Sequence, residues 1–361
     1  MFLADCLTDS ANRRYRPPMR KSPILLFGAL ALTLACGSLP SNAADLPAPQ
    51  AYTRIASPDT NTSQLQIAAR KFVPEHDAGP VIWLAGVMHV GEPQYYQALQ
   101  HFLETQTVVL YEGVNPDAHP HHVGDAPKAV TNSPPPAQTE TDTNTGYSMQ
   151  STLARSLGLV FQLEAIDYNR TNFLNSDLSV AQIQQIMTAG MRPALPGEEA
   201  ATNVTFDTLL HIMDGSSFLG SLFKWGMEFV AASPKLQAVA KLTLIEAVGR
   251  LKGDLSDVQG MPADWKHLIK VLIEARNQHL VSDLRSELKK IPASGSIAVF
   301  YGAAHMDDME KRITGGLHYR AAEEVWFPAF SVDLAKSGIS PDEAEWMRNL
   351  IKDQIDQMQE H

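Results

Sequence analysis

Cysteine is nearly missing from this chain of 361 residues: there are two, Cys6 and Cys36. Two cannot make a disulfide framework, and neither belongs to a Cys-rich zinc pattern. Basic charge is also scarce. Lys and Arg total 29 against 40 Asp and Glu, a formal charge of -11. With no Lys/Arg cluster beyond residue 21, a nucleic-acid binder held by phosphate contacts is excluded. The chain has no Gly-x-Ser-x-Gly elbow, phosphate loop or His-Glu-x-x-His, so the commonest serine-hydrolase, NTPase and zincin chemistries are not available. What remains is 44% hydrophobic and 19% charged, a composition that buries a core. The length suits one large domain or two ordinary ones.

The amino terminus reads as an export signal. Arg13, Arg14, Arg16, Arg20 and Lys21 precede an apolar run at 24–35, too short for a comfortable membrane span but of the right length for a signal core. Ser41-Asn42-Ala43 offers small residues to a signal peptidase. The expected signal peptide is therefore 1–43, with Met19 a candidate natural start, and the mature domain is 44–361. The mature chain would carry a charge of -14 and no Cys, which suits a soluble periplasmic or secreted protein. Leu34-Ala35-Cys36-Gly37 offers a second route, a lipid anchor at Cys36, although Thr33 stands where such sites usually carry Leu.

Along the mature chain, 64–73 and 80–85 read as strands, the second buried and ending at Gly86; 92–104 reads as a helix and 107–111 as another buried strand. Strand, helix, strand is the signature of an α/β unit. Residues 115–146 are dominated by Pro, Thr, Asn, Asp and His and read as a mobile surface loop, a candidate lid. The pattern resumes with a helix at 149–157, a strand at 160–166 and a helix capped by Ser179 and running to about 188. Residues 206–251 are helical in character, with Lys224 and Glu228 interrupting the apolar stretch, so they are not a membrane span. A long helix at 262–290, a strand at 297–301, one or two strands at 317–330 and a charged helix at 341–358 follow. The expectation is one α/β domain, a central mixed sheet flanked by helices with a helical insertion at about 206–251.

Two segments share a pattern. Gly86-Val87-Met88-His89 and Gly302-Ala303-Ala304-His305 each follow an apolar strand. Gly at a strand end permits a sharp turn or a close backbone approach, and the His then sits just past the carboxyl end, where open α/β sheets bind ligands. Glu112 follows the strand at 107–111 and belongs to the same edge. Two His and one carboxylate form the ligand set of several catalytic zinc sites, and carboxylate with imidazole also suits Mn or Fe(II).

These paired motifs, Tyr111-Glu112-Gly113 and Glu274-Ala275-Arg276-Asn277 resemble the TraB/PrgY/GumN family. That family is related to TIKI-type proteases and, more distantly, to erythromycin-esterase-like and ChaN-like proteins. The resemblance covers residues 81 to about 330. It implies an α/β fold of two related halves, both Gly-x-x-His motifs at one site, and for the TIKI-type relatives a metal-dependent hydrolase. It implies His89, Glu112, Arg276 and His305 as site residues. Family members commonly carry Gly-Thr-x-His at the first motif, and Val87 here removes that hydroxyl.

The expected mechanism is a divalent metal (Mn, Co or Zn) held by His89, His305 and Glu112, which lowers the pKa of a water. Alternatively Glu112 is the general base, and Glu164 or Asp167 completes the metal set. Arg276 would stabilise an oxyanion, although an Arg on a solvated helix could equally pair with Glu274 or Glu287. His119, His121 and His122 sit in a flexible segment that preorganises poorly. Phe218, Phe223, Trp225 and Phe229 read first as core packing, and Tyr168-Asn169-Arg170 as a surface turn. Three function classes stand: a secreted hydrolase of a peptide or amide, a non-catalytic peptide or signal binder, and a haem- or metal-binding envelope protein. The partner is a peptide or small-molecule substrate, not nucleic acid, with no transmembrane span after processing.

Overall fold

The computed structural model describes residues 51–76, 78–113, 145–190, 226–251 and 263–359. The expected signal at 1–43 with Cys36 lies outside them. So do 115–144 with His119, His121 and His122, and 206–225 with Phe218, Phe223 and Trp225. The strands are β1 (Thr53–Ala56), β2 (Thr62–Pro74), β3 (Val81–Val87), β4 (Val90–Gly91), β5 (Val108–Tyr111), β6 (Val160–Phe161), β7 (Phe173–Asn175), β8 (Ser296–Gly302) and β9 (Tyr319–Asp333). The helices are α1 (Pro93–Glu104), α2 (Thr145–Ser156), α3 (Gln162–Ala165), α4 (Val180–Gly190), α5 (Pro234–Arg250), α6 (Ala263–Leu288), α7 (Met306–Leu317) and α8 (Pro341–Gln359).

β3 and β8 are almost wholly apolar, the pattern of strands covered on both faces. They pair in parallel, from Val81 opposite Ser296 to Val87 opposite Gly302. β5 lies parallel on the far side of β8, and β7 parallel to β5. On the other side β3 pairs antiparallel with the second half of β2. β1 pairs with the first half of β2, and β9 follows β2 along its whole length. The result is a seven-stranded mixed sheet flanked by helices, an α/β fold as expected.

Side chains alternate across each strand, so the sheet builds two cores. Trp83, Ala85, Val109, Ala298 and Phe300 face one side, where α1 adds Tyr95, Tyr96, Leu99 and Leu103, and α5 adds Leu242 and Ile245. Ile82, Leu84, Leu110, Ile297 and Val299 face the other, under Leu280 and Leu284 of α6 and Met306, Met309 and Ile313 of α7. No helix among the described residues is long and apolar enough to cross a membrane.

The structure departs from the sequence reading in several places. The expected strand at 160–166 is a strand for two residues only; β6 pairs with β4 in a separate small sheet, and the chain then turns into α3. Gln162 begins that turn because its backbone N–H donates to the His89 carbonyl at 2.8 Å, a distant contact that local pattern does not carry. The expected one or two strands at 317–330 are one long strand, β9. Pro328 is accommodated beside a register shift between Leu65 and Gln66, on an outer strand where a missing N–H is tolerated. β3 continues through Gly86 to Val87. The short strands β1 and β7 have no counterpart in the sequence reading. Residues 145 and 146, the end of the expected loop, already belong to α2. Phe229 is not core: it is exposed.

One buried ion pair ties the second helical layer to the sheet. Arg70 on β2 pairs with Glu310 on α7 and, at 2.9 Å, with Glu324 on β9. Tyr52 donates its hydroxyl proton to Glu310 Oε2 at 2.8 Å, and the Arg70 guanidinium lies 4.4 Å from the centre of its ring. Arg70 is 5% exposed. Removing one member of such a pair strands the other charge away from water. Arg70→Met should therefore cost about 3–5 kcal/mol of unfolding free energy in a urea titration. Adding Glu310→Gln to that variant should recover part of the loss. A negligible cost for Arg70→Met would show that packing alone seats α7.

Candidate active site

The carboxyl ends of β3, β5 and β8 deliver three side chains to one place. Because β3 and β8 pair in parallel with Val87 opposite Gly302, both Gly-x-x-His segments leave the sheet at the same edge. The turn after β3 is pinned by α1: the Met88 N–H donates to Tyr95 Oη at 3.2 Å, and Tyr96 Oη donates to the Met88 carbonyl at 2.7 Å. The turn after β8 is a single 3-10 turn, Ala303–His305, leading directly into α7. Glu112 prolongs the β5 ladder, its N–H donating to the Phe300 carbonyl at 3.0 Å.

The two histidines are held alike. Nδ1 of His89 lies 2.9 Å from Gln162 Oε1, and Nδ1 of His305 lies 2.8 Å from Asn277 Oδ1. The Asn277 amide orientation is set by its Nδ2, which donates to the His305 carbonyl at 3.2 Å and to Asp308 Oδ2 at 2.8 Å. Its Oδ1 therefore accepts, and His305 carries its proton on Nδ1. Gln162 Nε2 reaches Tyr168 Oη at 2.8 Å, leaving Oε1 to accept from His89 Nδ1 in the same way. In both rings Nδ1 is thus taken up by an amide oxygen, and Nε2 is the nitrogen left for other partners. His305 is buried while His89 is exposed.

Glu112 is the hub. Its Oε2 accepts the Gly302 N–H at 2.7 Å, and its Oε1 accepts from Arg276 Nη2 at 2.7 Å and lies 3.7 Å from His305 Nε2. Arg276, on α6, is fixed by Asp177: Nε donates to Oδ1 at 2.9 Å and Nη2 to Oδ2 at 2.6 Å. Asp177 Oδ2 also accepts the Gly113 N–H at 3.0 Å. Burial raises the Glu112 carboxyl, but Arg276, His305, His89 and the Gly302 amide outweigh it and bring it down to about 2. Burial lowers His305 below its ordinary value, against the pull of Glu112, so its ring is neutral at pH 7. Burial opposes the Arg276 charge too, yet Asp177 and Glu112 raise it overall.

Gly302 explains the spacing of the motif. A Cβ there would lie 3.3 Å from Glu112 Oε2, 3.8 Å from His89 Nε2 and 3.8 Å from His305 Cδ2. The three side chains ring that point, and any larger residue would fill it. The donors suit a divalent ion by type, two imidazole Nε2 atoms and a carboxylate. They also suit one by support, since each ring is oriented through Nδ1 by an amide oxygen. Among the described residues no group of three or more His, Cys, Asp or Glu is placed so that it could hold a metal ion as the side chains stand.

Of the residues singled out in the sequence, His89, Glu112, Arg276 and His305 come together. Glu164 and Asp167 do not join them. Glu164 is exposed on α3, 3.8 Å from Arg155, and Asp167 pairs with Arg170 at 3.2 Å. Both were placed at the end of a strand whose place is taken by the short helix Gln162–Ala165, with Asp167 beyond it. Arg276 pairs with neither Glu274 nor Glu287 as its principal acid; Glu287 binds Lys290 at 2.6 Å. Sequence reasoning missed Asp177 and Gln162, and gave Asn277 no role. Asp177 stands two residues past β7 on the same sheet edge as Glu112, but a three-residue strand leaves too little periodicity to read. No family model, curated protein or solved structure matches this chain.

The Glu112 shift has a consequence for stability. A carboxyl near 2 in the folded chain and near 4.5 when unfolded stabilises the fold above the unfolded value, and loses that contribution as pH falls toward 2. The wild type should melt higher than Glu112→Gln at pH 6, and the gap should close between about pH 4.5 and 2. A gap that stays constant across this range would mean that Glu112 acts by shape and not by charge.

Proposed function

We propose that the protein is an exported, metal-dependent hydrolase of a peptide or amide bond, related to the TraB/PrgY/GumN family that its motifs resemble. The observation that carries this reading is the convergence of His89, His305 and Glu112 around Gly302, with Arg276 beside them. The basic, apolar and small-residue sequence of 1–43 supports export to the periplasm or beyond.

His89, His305 and Glu112 are the residues that would hold the metal. A divalent ion supplies Lewis acidity and makes a water easier to deprotonate. Gln162 and Asn277 keep both rings in the Nδ1–H form, so each presents a lone pair without a reorientation cost. Glu112, held near 2, is a poor general base at neutral pH; it serves as ligand and as electrostatic anchor. Asp177 clamps Arg276 through two nitrogens. Among the described residues Arg276 Nη1 makes no hydrogen bond, and we assign it to the oxygen that becomes negative when a carbonyl is attacked. Gln162 sits beside Tyr168, which packs against Tyr111, and these rings offer an apolar wall for a substrate side chain.

The test is metal content by mass spectrometry on the purified protein, reloaded separately with Mn, Co and Zn, beside His89→Ala and His305→Ala. The wild type should hold close to one equivalent and hydrolyse members of a peptide and ester panel. Each variant should lose the metal and at least a hundredfold in rate while keeping its circular dichroism spectrum. Absence of metal under every loading, with all three proteins folded, would sink the hydrolase reading.

A further inference from the structure

Helices α6 and α7 leave a cleft of about 430 Å³ between them, lined by Gln278, Val281, Ser282, Arg285, Arg312 and Gly316. Two arginines therefore line one small space in a chain whose net charge is -11. Arg312 donates through Nε to Asp308 Oδ2 at 2.6 Å. Arg285 reaches only the Gly316 carbonyl, at 3.4 Å. Neither makes another hydrogen bond among the described residues, so most of their ten N–H groups have no protein partner there. Asp308 is the one carboxylate paired with either of them among those residues, and it is shared with Asn277.

We propose that this cleft is a binding site for a small oxyanion of the phosphate class, gripped by Arg285 and Arg312. Guanidinium is planar, always charged and weakly hydrated, and its parallel N–H groups match two oxygens of a phosphoryl group. Long-range attraction cannot supply the affinity, because the chain as a whole repels anions. Short, bidentate hydrogen bonds must do so, and two arginines that line one cleft can provide them. The Ser282 hydroxyl and the Gln278 amide add neutral donors on the same wall. Val281 gives an apolar floor, and the volume exceeds that of bare phosphate, so a phosphate monoester fits as well as the free ion.

The site also has a path to the candidate active site. Arg312 Nε and Asn277 Nδ2 share the same oxygen of Asp308, and Asn277 Oδ1 holds His305 Nδ1 at 2.8 Å. An anion that draws Arg312 away leaves Asp308 with Asn277 as its remaining partner, strengthening a charge-assisted bond behind His305. Binding stands on the cleft alone; that it tunes catalysis rests on the hydrolase reading.

Calorimetric titration of inorganic phosphate into the purified protein, in a buffer free of other oxyanions, tests the site. The wild type should show one saturable site. Arg285→Ala and Arg312→Ala should each weaken it at least tenfold. Asp308→Asn should tighten it severalfold, because the competing carboxylate is gone. Should Arg312→Ala fail to fold, Ser282→Glu places a negative charge in the cleft and should abolish binding. Phenyl phosphate in place of phosphate separates the sources: tighter binding assigns a monoester, equal binding the free ion. For the path, the ring resonances of His305 should shift on adding phosphate to the wild type and stay fixed in Arg312→Ala. No saturable phosphate binding, or binding unchanged in both Arg variants, overturns the site. A bound anion without a His305 shift overturns the path. Metal content and hydrolysis are measured independently, so this proposal and the hydrolase reading fail separately.

Discussion

β3 and β8 lie side by side and parallel, with both faces of the pair under helices. That single ladder decides where everything else goes. Parallel neighbours end at the same edge of a sheet, so two copies of a short motif, more than two hundred residues apart in sequence, leave the sheet within one residue of register. β5 joins the same ladder through β8 and brings Glu112 to the same edge. An antiparallel pairing of β3 with β8 would have put the two histidines at opposite ends of the domain. The burial of Ile82, Leu84, Val299 and Phe300 is thus the physical basis of the site as well as of the fold.

Around that edge, charge is managed by sharing. Glu112 and Asp177 flank one guanidinium, so a buried cation has two carboxylates beside it. A buried carboxylate is costly unless hydrogen-bonded. Here the cost is offset by two backbone amides, Gly302 for Glu112 and Gly113 for Asp177, and by Arg276. The glycines that permit the turns also present those amides without a Cβ in the way. The same economy orients the histidines: each uses one nitrogen to satisfy an amide oxygen and leaves the other for chemistry.

The layers of the fold meet the site from both sides. α1 holds the first motif through Tyr95 and Tyr96, while α6 carries both Arg276 and Asn277 and so holds Glu112 and His305 together from the opposite layer. α7, whose N-cap is His305, is seated on the sheet by Arg70 and Glu310. A disturbance in the packing of α6 against α7 therefore bears on a residue that positions His305, Asn277, before it bears on the sheet.

Most of the architecture was legible in the sequence. The apolar runs of β3, β5 and β8, the amphipathic α1 and the Pro-led α6 and α8 announce themselves because burial on one or both faces dictates their residues. The repeated Gly-x-x-His and the strand-end Glu112 pointed to one edge for the same reason. What failed was short or non-local: β1 and β7, the two-residue β6 that turns into α3, and hence Glu164 and Asp167. Asp177, Gln162 and the role of Asn277 were invisible because a partner's identity depends on which elements pack together. By itself the sequence determined the chain's α/β character, its strands and the residue types available for chemistry, since those follow from local periodicity and side-chain chemistry. Only the tertiary structure decided which carboxylate faces which guanidinium and which nitrogen of each histidine is free, because register and layer packing are properties of segments far apart in the chain.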